Sequence, residues 1–253
     1  MTPLEQLVVL LAGLGAGILT STVGIASLLS FPVLVAVGLP PVVANASNTV
    51  GLTPGAISGS WGYRSELREH PRVAAVVLAT CAVGSVVGAV LLLALPATVF
   101  ESVVPWLILG TCLLVGVQPR LSALLRSRRS EGADDRLHVS PVTGFFATIT
   151  GVYGGYFGAG SGVMMLAVLG LGTDLPFRVA NALKTLAVLA ANLVASVIFV
   201  FAADLDWRAV LLLAAGSVVG GYVGARVGRR LPPTLLRTGI VLAGLVGAVL
   251  LWS

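Results

Sequence analysis

From Val73 to Leu95 the chain runs without one charged residue. As a helix such a run reaches about 34 Å, enough to cross the roughly 30 Å hydrocarbon core of a bilayer. In lipid every backbone N–H and C=O must find its partner inside the protein, so a run of this kind folds as a helix. Comparable apolar segments fill most of the sequence, at about 4–21, 25–38, 40 or 41–60, 72–95, 99–117, 139–157, 159–172, 176–203, 207–226 and 234–252. Hydrophobic residues make up 57% of the 253 and charged ones 10%, with a mean hydropathy of +1.03. A soluble domain carries about 25% charged residues. The class predicted is an all-α integral membrane protein. Its net charge of +5 then reflects arginines in loops and gives no reason to expect nucleic acid as a partner.

The start, MTPLEQLVVLLAGLGAG, lacks a basic leader, carries Glu5 and continues into further apolar sequence, so it reads as a first span and not as a cleaved signal. Cys81 and Cys112 lie inside apolar runs without metal-ligand spacing and are expected to be free thiols packed as small hydrophobes. No metal or cofactor is predicted.

The sequence repeats itself. VANASNT at 43–49 returns as VANALKT at 179–185, and each copy is preceded by a small-residue break, GIAS at 24–27 and GAGS at 158–161. Residues 1–117 and 139–253 are read as two copies of one unit, joined by an arginine-rich cytoplasmic linker at 118–138. The segments 25–38 and 159–172 are too short to cross a membrane comfortably. Each is therefore expected to pair with its predecessor in a hairpin that enters and leaves on one side, followed by three full helices. Counting each hairpin once gives about eight helices. The alternative is two thin but complete passes.

Loop charge predicts orientation. Arginines gather at 64, 68 and 72, at 120, 126, 128, 129 and 136, and at 226, 229, 230 and 237, while the loops near 94–100 and 202–206 have none. Placing the arginine clusters inside puts the loop 61–72 in the cytoplasm and its counterpart 202–206 outside. Equivalent loops then lie on opposite sides, so the halves are expected to be inverted, with both termini outside. Trp61 and Tyr63 in WGYR suit an interfacial anchor.

Inverted halves with broken helices are the build of secondary transporters, whose site lies near the midplane where the repeats meet. Gly24 and Gly158 at the breaks, with Ser27 and Ser161 beside them, are expected to face a cavity or each other. The helix after each break carries the polar groups. Residues three and four apart share a face, which aligns Asn45, Asn48 and Thr49 in one half and Asn181, Lys184 and Thr185 in the other, with Asn192 returning to that face later. Lys184, the one lysine of the chain, sits about 12 Å into its helix. An ionisable group at such depth costs at least about 2.5 kcal/mol and marks a substrate or ion path. All ten acidic residues fall in loops or at segment ends, so the expected counter-ion is an anion that comes and goes. These eleven residues form the candidate substrate site.

NASNTVGLTPGAISGSWGYRSEL at 45–67 and RVANALKTLAVLAANLVASVIF at 178–199 resemble the TauE/SafE family of membrane permeases, also called the toluene sulfonate uptake permease family, and the resemblance extends over essentially the whole chain. It implies transport of sulfite, organosulfonates or related small acids across the bacterial inner membrane, in either direction. The family's Gly-rich break followed by Pro-x-Leu is kept in the first half at Pro32 and Leu34, whereas MMLAVLG in the second lacks the proline and GIAS lacks glycines common at the first break.

Two other classes compete. A non-transporting membrane scaffold or accessory subunit would not need a polar midplane face. An intramembrane hydrolase would pair Ser161 with Lys184 as nucleophile and base, yet Ser27 holds the same repeat position with no lysine beside it, and His70 and His138 fall in loops. The expectation is a carrier and not an enzyme, whose partners are a small anion, the lipid bilayer and at most a second copy of the chain.

Overall fold

A computed structural model describes residues 1–127 and 137–227. The segment expected at 234–252, much of the arginine-rich linker and the arginines at 128, 129, 136, 229, 230 and 237 lie outside the described residues. Within them the chain is helical: α1 (Pro3–Thr22), α2 (Ser27–Ala36), α3 (Pro41–Gly62), α4 (Arg64–Glu69), α5 (Pro71–Ala94), α6 (Ala97–Ser127), α7 (Pro141–Tyr156), α8 (Ser161–Gly172), α9 (Phe177–Ala202) and α10 (Trp207–Val227). Among the described residues there is no strand. Prolines stand at the first helical positions of α1, α3, α5 and α7, where the missing N–H has no helical partner to lose. Two features differ from the sequence reading. The charged stretch RSELRE folds as the short helix α4, and α6 continues as helix beyond residue 117 to Ser127.

Among the described residues five helices are long and apolar enough to cross a membrane: α1, α5, α6, α9 and α10. Though long enough, α3 is too polar to qualify, and the reason lies in its surroundings. Asn45, Ser47, Asn48, Thr49, Thr53 and Ser60 are all buried, so protein and not lipid surrounds its polar face. At ten and twelve residues, α2 and α8 reach only about 15 and 18 Å, short of a crossing.

Lipid is as apolar as leucine, so helices in a bilayer are held by close packing and hydrogen bonds rather than by escape from water. Glycines supply the closeness here. On α1, Gly13 packs against Leu213 and Gly17 against Ser217 and Gly221 of α10, and the Ser21 hydroxyl donates to Gly221 O at 2.9 Å. The residue order rises together on both helices, so α1 and α10 run parallel. Gly51, Gly55 and Gly62 of α3 meet Leu213, Ser217 and Ala225 of α10 in the same sense. At a second seam Gly84 and Gly88 of α5 meet Thr148, Val152 and Tyr156 of α7, again in parallel. Between α3 and α9 the order reverses. Thr53 on α3 bonds Ser196 on α9 at 2.7 Å, Gly59 lies against Thr185, and the Tyr63 hydroxyl accepts from Asn181 at 3.2 Å. The helices α3 and α9, which carry the two sequence repeats, cross antiparallel.

The hairpins enter from opposite ends of the molecule. Met1, the turn between α2 and α3, and the turn between α9 and α10 line one cleft, with Val37, Gly38, Pro40, Asp204 and Asp206 among its walls. At the other end Gly172, closing α8, lies against Thr143 in the first turn of α7, and Arg178 of α9 forms a bidentate ion pair with Glu69 of α4 at 2.6 and 2.7 Å. The breaks of the two hairpins meet inside. Behind them Phe31, Phe100 and Phe157 pack edge to face, with Phe31 and Phe157 centroids 5.3 Å apart, a favoured aromatic geometry.

Candidate functional site

Both breaks are built in the same way. At the end of α1, the N–H groups of Val23 and Gly24 both donate to Leu19 O; at the end of α7, those of Phe157 and Gly158 both donate to Tyr153 O. Gly24 has φ +85° and Gly158 has φ +78°, the left-handed conformation that glycine adopts without penalty in such helix ends. The N–H groups of Gly24 and Gly158 are thus spent inside the chain and are not offered to a ligand. What the glycines provide is approach. A Cβ on Gly24 would sit 2.9 Å from Gly162 Cα, and one on Gly162 would sit 2.8 Å from Gly24 Cα. The sequence left open whether the tips face a cavity or each other; they face each other.

Lys184 is brought to this meeting point. It is fully buried, its stem lies against Gly24, and its ammonium donates to Thr22 O, the last carbonyl of α1, at 3.0 Å. A cation at a helix C-terminus is favoured by the exposed carbonyls and the macrodipole, which amounts to about half a negative charge. That leaves the ammonium only partly compensated, because it forms no ion pair with a carboxylate among the described residues. The second helix end is sealed by a neutral group. Asn45 Nδ2 of α3 donates to Tyr156 O, at the close of α7, at 2.9 Å. Each crossing helix therefore caps the hairpin of the other half.

Among the described residues several backbone donors stand unpaired around the tips, beside one buried unpaired acceptor, Asn45 Oδ1. The short helices α2 and α8 begin there with no side-chain cap, and the N–H groups of Ala26, Ser27 and Gly162 make no hydrogen bond within the described residues. Such helix starts favour anions. Ser161 is buried beside Gly154, and its hydroxyl has no hydrogen bond among the described residues.

The other predicted residues spread out. Asn48 is spent within its own half: its amide donates to Ser27 Oγ at 3.1 Å and its carbonyl accepts from Ser30 Oγ at 2.5 Å. Thr49 and Thr185, at equivalent positions, both turn their hydroxyls back onto the carbonyl one turn earlier, Asn45 O and Asn181 O, at 3.0 and 3.1 Å. Their protons are therefore not available to a ligand in this arrangement. Asn192 is half-buried and about 12 Å along α9 from Lys184, away from the tips.

Three residues at the tips escaped the sequence reading. Tyr63, read as an interfacial anchor, is buried; its hydroxyl donates to Ser21 O at 3.1 Å and accepts from Asn181. Trp61, by contrast, is 64% exposed, with the Arg64 guanidinium 5.4 Å above its ring. At the second tip, Tyr153 and Thr111 both reach Ala159 O, at 2.6 and 2.9 Å.

The family model for the sulfite exporter TauE/SafE matches residues 9–251. The chain is 29% identical over 232 residues to a probable membrane transporter protein of Haemophilus influenzae, covering 91% of this chain and 88% of that one. It is 28% identical over 233 residues to the probable membrane transporter protein YfcA of Escherichia coli K12, covering 91% and 82%. A probable membrane transporter protein of a Sinorhizobium species, ORF9, is 26% identical over 213 residues, covering 83% and 78%. No solved structure matches significantly. A full-length family match on a multi-pass helical chain settles the membership: this protein belongs to the TauE/SafE sulfite exporter family of membrane transporters.

Proposed function

We propose that the protein is a secondary carrier that moves a small sulfur-containing anion, sulfite or an organosulfonate, across the bacterial inner membrane, with Lys184 as the charge partner of the anion. The observation that carries this reading is a fully buried ammonium at the meeting point of two broken helices, with no carboxylate beside it among the described residues and with unpaired helix N–H groups next to it. Bringing an anion there completes the charge balance that the chain leaves open. Family membership supports the transport class, and sulfite is the anion in the family's name.

We further infer that residues 1–117 and 139–253 are inverted copies. The antiparallel crossing of α3 and α9 and the entry of the hairpins from opposite ends support this, as does the distribution of arginine. Alternating access then consists of the group α1, α3 and α10 rocking against the group α5, α7 and α9 about the tips. The loop 202–206 and both termini lie outside in this orientation. Lys184 donates to Thr22 O and not to Ser161 Oγ, which favours the carrier over a serine–lysine hydrolase.

The test is sulfite flux in proteoliposomes. Wild-type protein carries sulfite, and Gly158→Leu, which forces a side chain onto a left-handed backbone beside Gly154 O, inserts normally and carries none. Absence of flux in the wild type would leave the scaffold reading standing, and full flux in Gly158→Leu would reduce the break to ordinary helix packing.

A further inference from the structure

We propose that Thr111 and Tyr153 are positioning residues: they clamp the second tip to α6, making it the fixed wall against which Lys184 and the first tip work. The clamp is read from hydrogen bonds alone; its consequence for transport rests on the reading of the tips as the anion site.

The carbonyl of Ala159 lies between the left-handed glycines Gly158 and Gly160, where the backbone turns from α7 into α8. Two hydroxyls converge on it. Tyr153 Oη donates to Ala159 O at 2.6 Å. Thr111 Oγ1 lies 2.9 Å from the same oxygen and 3.0 Å from Tyr153 Oη. Its single proton serves either that carbonyl or Leu107 O, 2.8 Å away on its own helix. Thr111 also fills the space under the tip, because a Cβ on Gly160 would collide with its methyl group. The Tyr153 ring packs edge to face on Phe157, and Phe157 packs on Phe31 and Phe100. Ala159 and Phe157 are fully enclosed. The start of α8, with Gly162 against Gly24, is thereby tied to α6 as well as to α7.

The first tip has no such device among the described residues. The residue matching Tyr153 by its place before the break is Leu19, whose carbonyl accepts the same pair of N–H groups but whose side chain has no hydroxyl. Ile25 O, matching Ala159 O, receives only the N–H of Leu28. The first tip is tied instead through Tyr63 at Ser21 O, Lys184 at Thr22 O and Asn48 at Ser27 Oγ, each reaching it from another element, and of these only Lys184 is charged. One tip is held by neutral donors alone; the other is held in part by a charge that an anion can claim.

The experiment uses the full chain in lipid nanodiscs with Tyr153→Phe, Thr111→Val, the double variant and Thr111→Ser. Hydrogen–deuterium exchange without ligand reads the clamp. Loss of both hydroxyls is expected to speed exchange across 157–163 by about tenfold while 23–26 keeps its rate, since a buried hydrogen bond is worth about that factor. Tyr153→Phe, which keeps the packed ring, gives a smaller rise of roughly threefold, and Thr111→Ser, which keeps the hydroxyl but loses the methyl group under Gly160, stays below the rise seen with Thr111→Val. Unchanged exchange across 157–163, or equal acceleration at both tips, overturns the clamp. Sulfite flux then reads positioning: the double variant raises the half-saturating concentration by about tenfold with maximal flux largely kept. Faster exchange with an unmoved half-saturation would show a loosened tip that the site does not use, and would overturn the positioning role. If the wild type carries no sulfite, the substrate reading fails while exchange still decides the clamp.

Discussion

The two hairpin tips begin from the same local chemistry and end with different attachments. Each closes on a left-handed glycine, each returns two N–H groups to the carbonyl five and four residues back, and each has its last helical carbonyl capped by the crossing helix of the other half. At the second tip every attachment is neutral: Asn45 on Tyr156 O, Tyr153 and Thr111 on Ala159 O. At the first tip one attachment is an ammonium. A neutral donor gains little by leaving a buried carbonyl. A charged donor gains a stronger, charge-assisted bond when an anion arrives. The two tips thus differ in a few side chains, with lysine at 184 where the first sequence repeat has Asn48 and tyrosine at 153 where the place before the first break has Leu19.

The largest effect expected is at the contact between the tips. Gly24→Leu meets both a left-handed backbone and Gly162 Cα, and should abolish sulfite flux. Gly38 provides the control: it has φ +92° but nothing within 4 Å of the point a Cβ would occupy, so Gly38→Ala should cost only about 1–2 kcal/mol and keep flux. Equal loss of flux in both would mean that backbone strain, and not the meeting of the tips, is what matters.

Next come the neutral seals. Asn45→Ala strands Tyr156 O in a buried site and should destabilise by about 1–3 kcal/mol, read by unfolding in mixed micelles. Tyr63→Phe removes its bonds to Ser21 O and Asn181 and should cost about the same per bond lost. No loss of stability in either variant would show that water can replace these caps and that the tips are less enclosed than their burial indicates. The smallest effect belongs to the ion pair of Glu69 with Arg178. Its side chains are 34% and 62% exposed, and exposed pairs contribute about 0–1 kcal/mol. Glu69→Gln should therefore move stability by less than about 1 kcal/mol in the same unfolding measurement, and a larger loss would make this end of the molecule a structural joint.

Much of this was legible in the sequence because the responsible residues are costly where they stand. Uninterrupted apolar runs dictate helices, two short segments cannot cross, and a lysine in an apolar helix demands a reason. Gly24 and Gly158 could be found as a repeated break. The clamp could not, since Thr111 and Tyr153 are ordinary in an apolar helix and their shared partner is a backbone carbonyl that only the fold brings near. Thr49 and Thr185 show the limit of helix-face spacing: a hydroxyl on a membrane helix has its own carbonyl one turn away, both take it here, and spacing does not tell which partner a hydroxyl takes. Tyr63 was misplaced because an aromatic beside Arg64 reads as an anchor, whereas α1 ends against it and supplies Ser21 O. The helix α4 was hidden in RSELRE, where dense charge reads as a loop although Arg and Glu are good helix formers.

The central claim is that Lys184 serves the anion and caps α1 only in its absence. Calorimetric titration of sulfite into nanodisc-embedded protein tests it most directly, with wild type beside Lys184→Met and Lys184→Arg. The account predicts saturable binding to wild type, at least about thirtyfold weaker binding to Lys184→Met, as removal of a buried charged partner implies, and altered affinity in Lys184→Arg, whose planar guanidinium fits the enclosed space differently. Wild-type affinity in a folded Lys184→Met would contradict it, and would leave the lysine as a cap on a helix end.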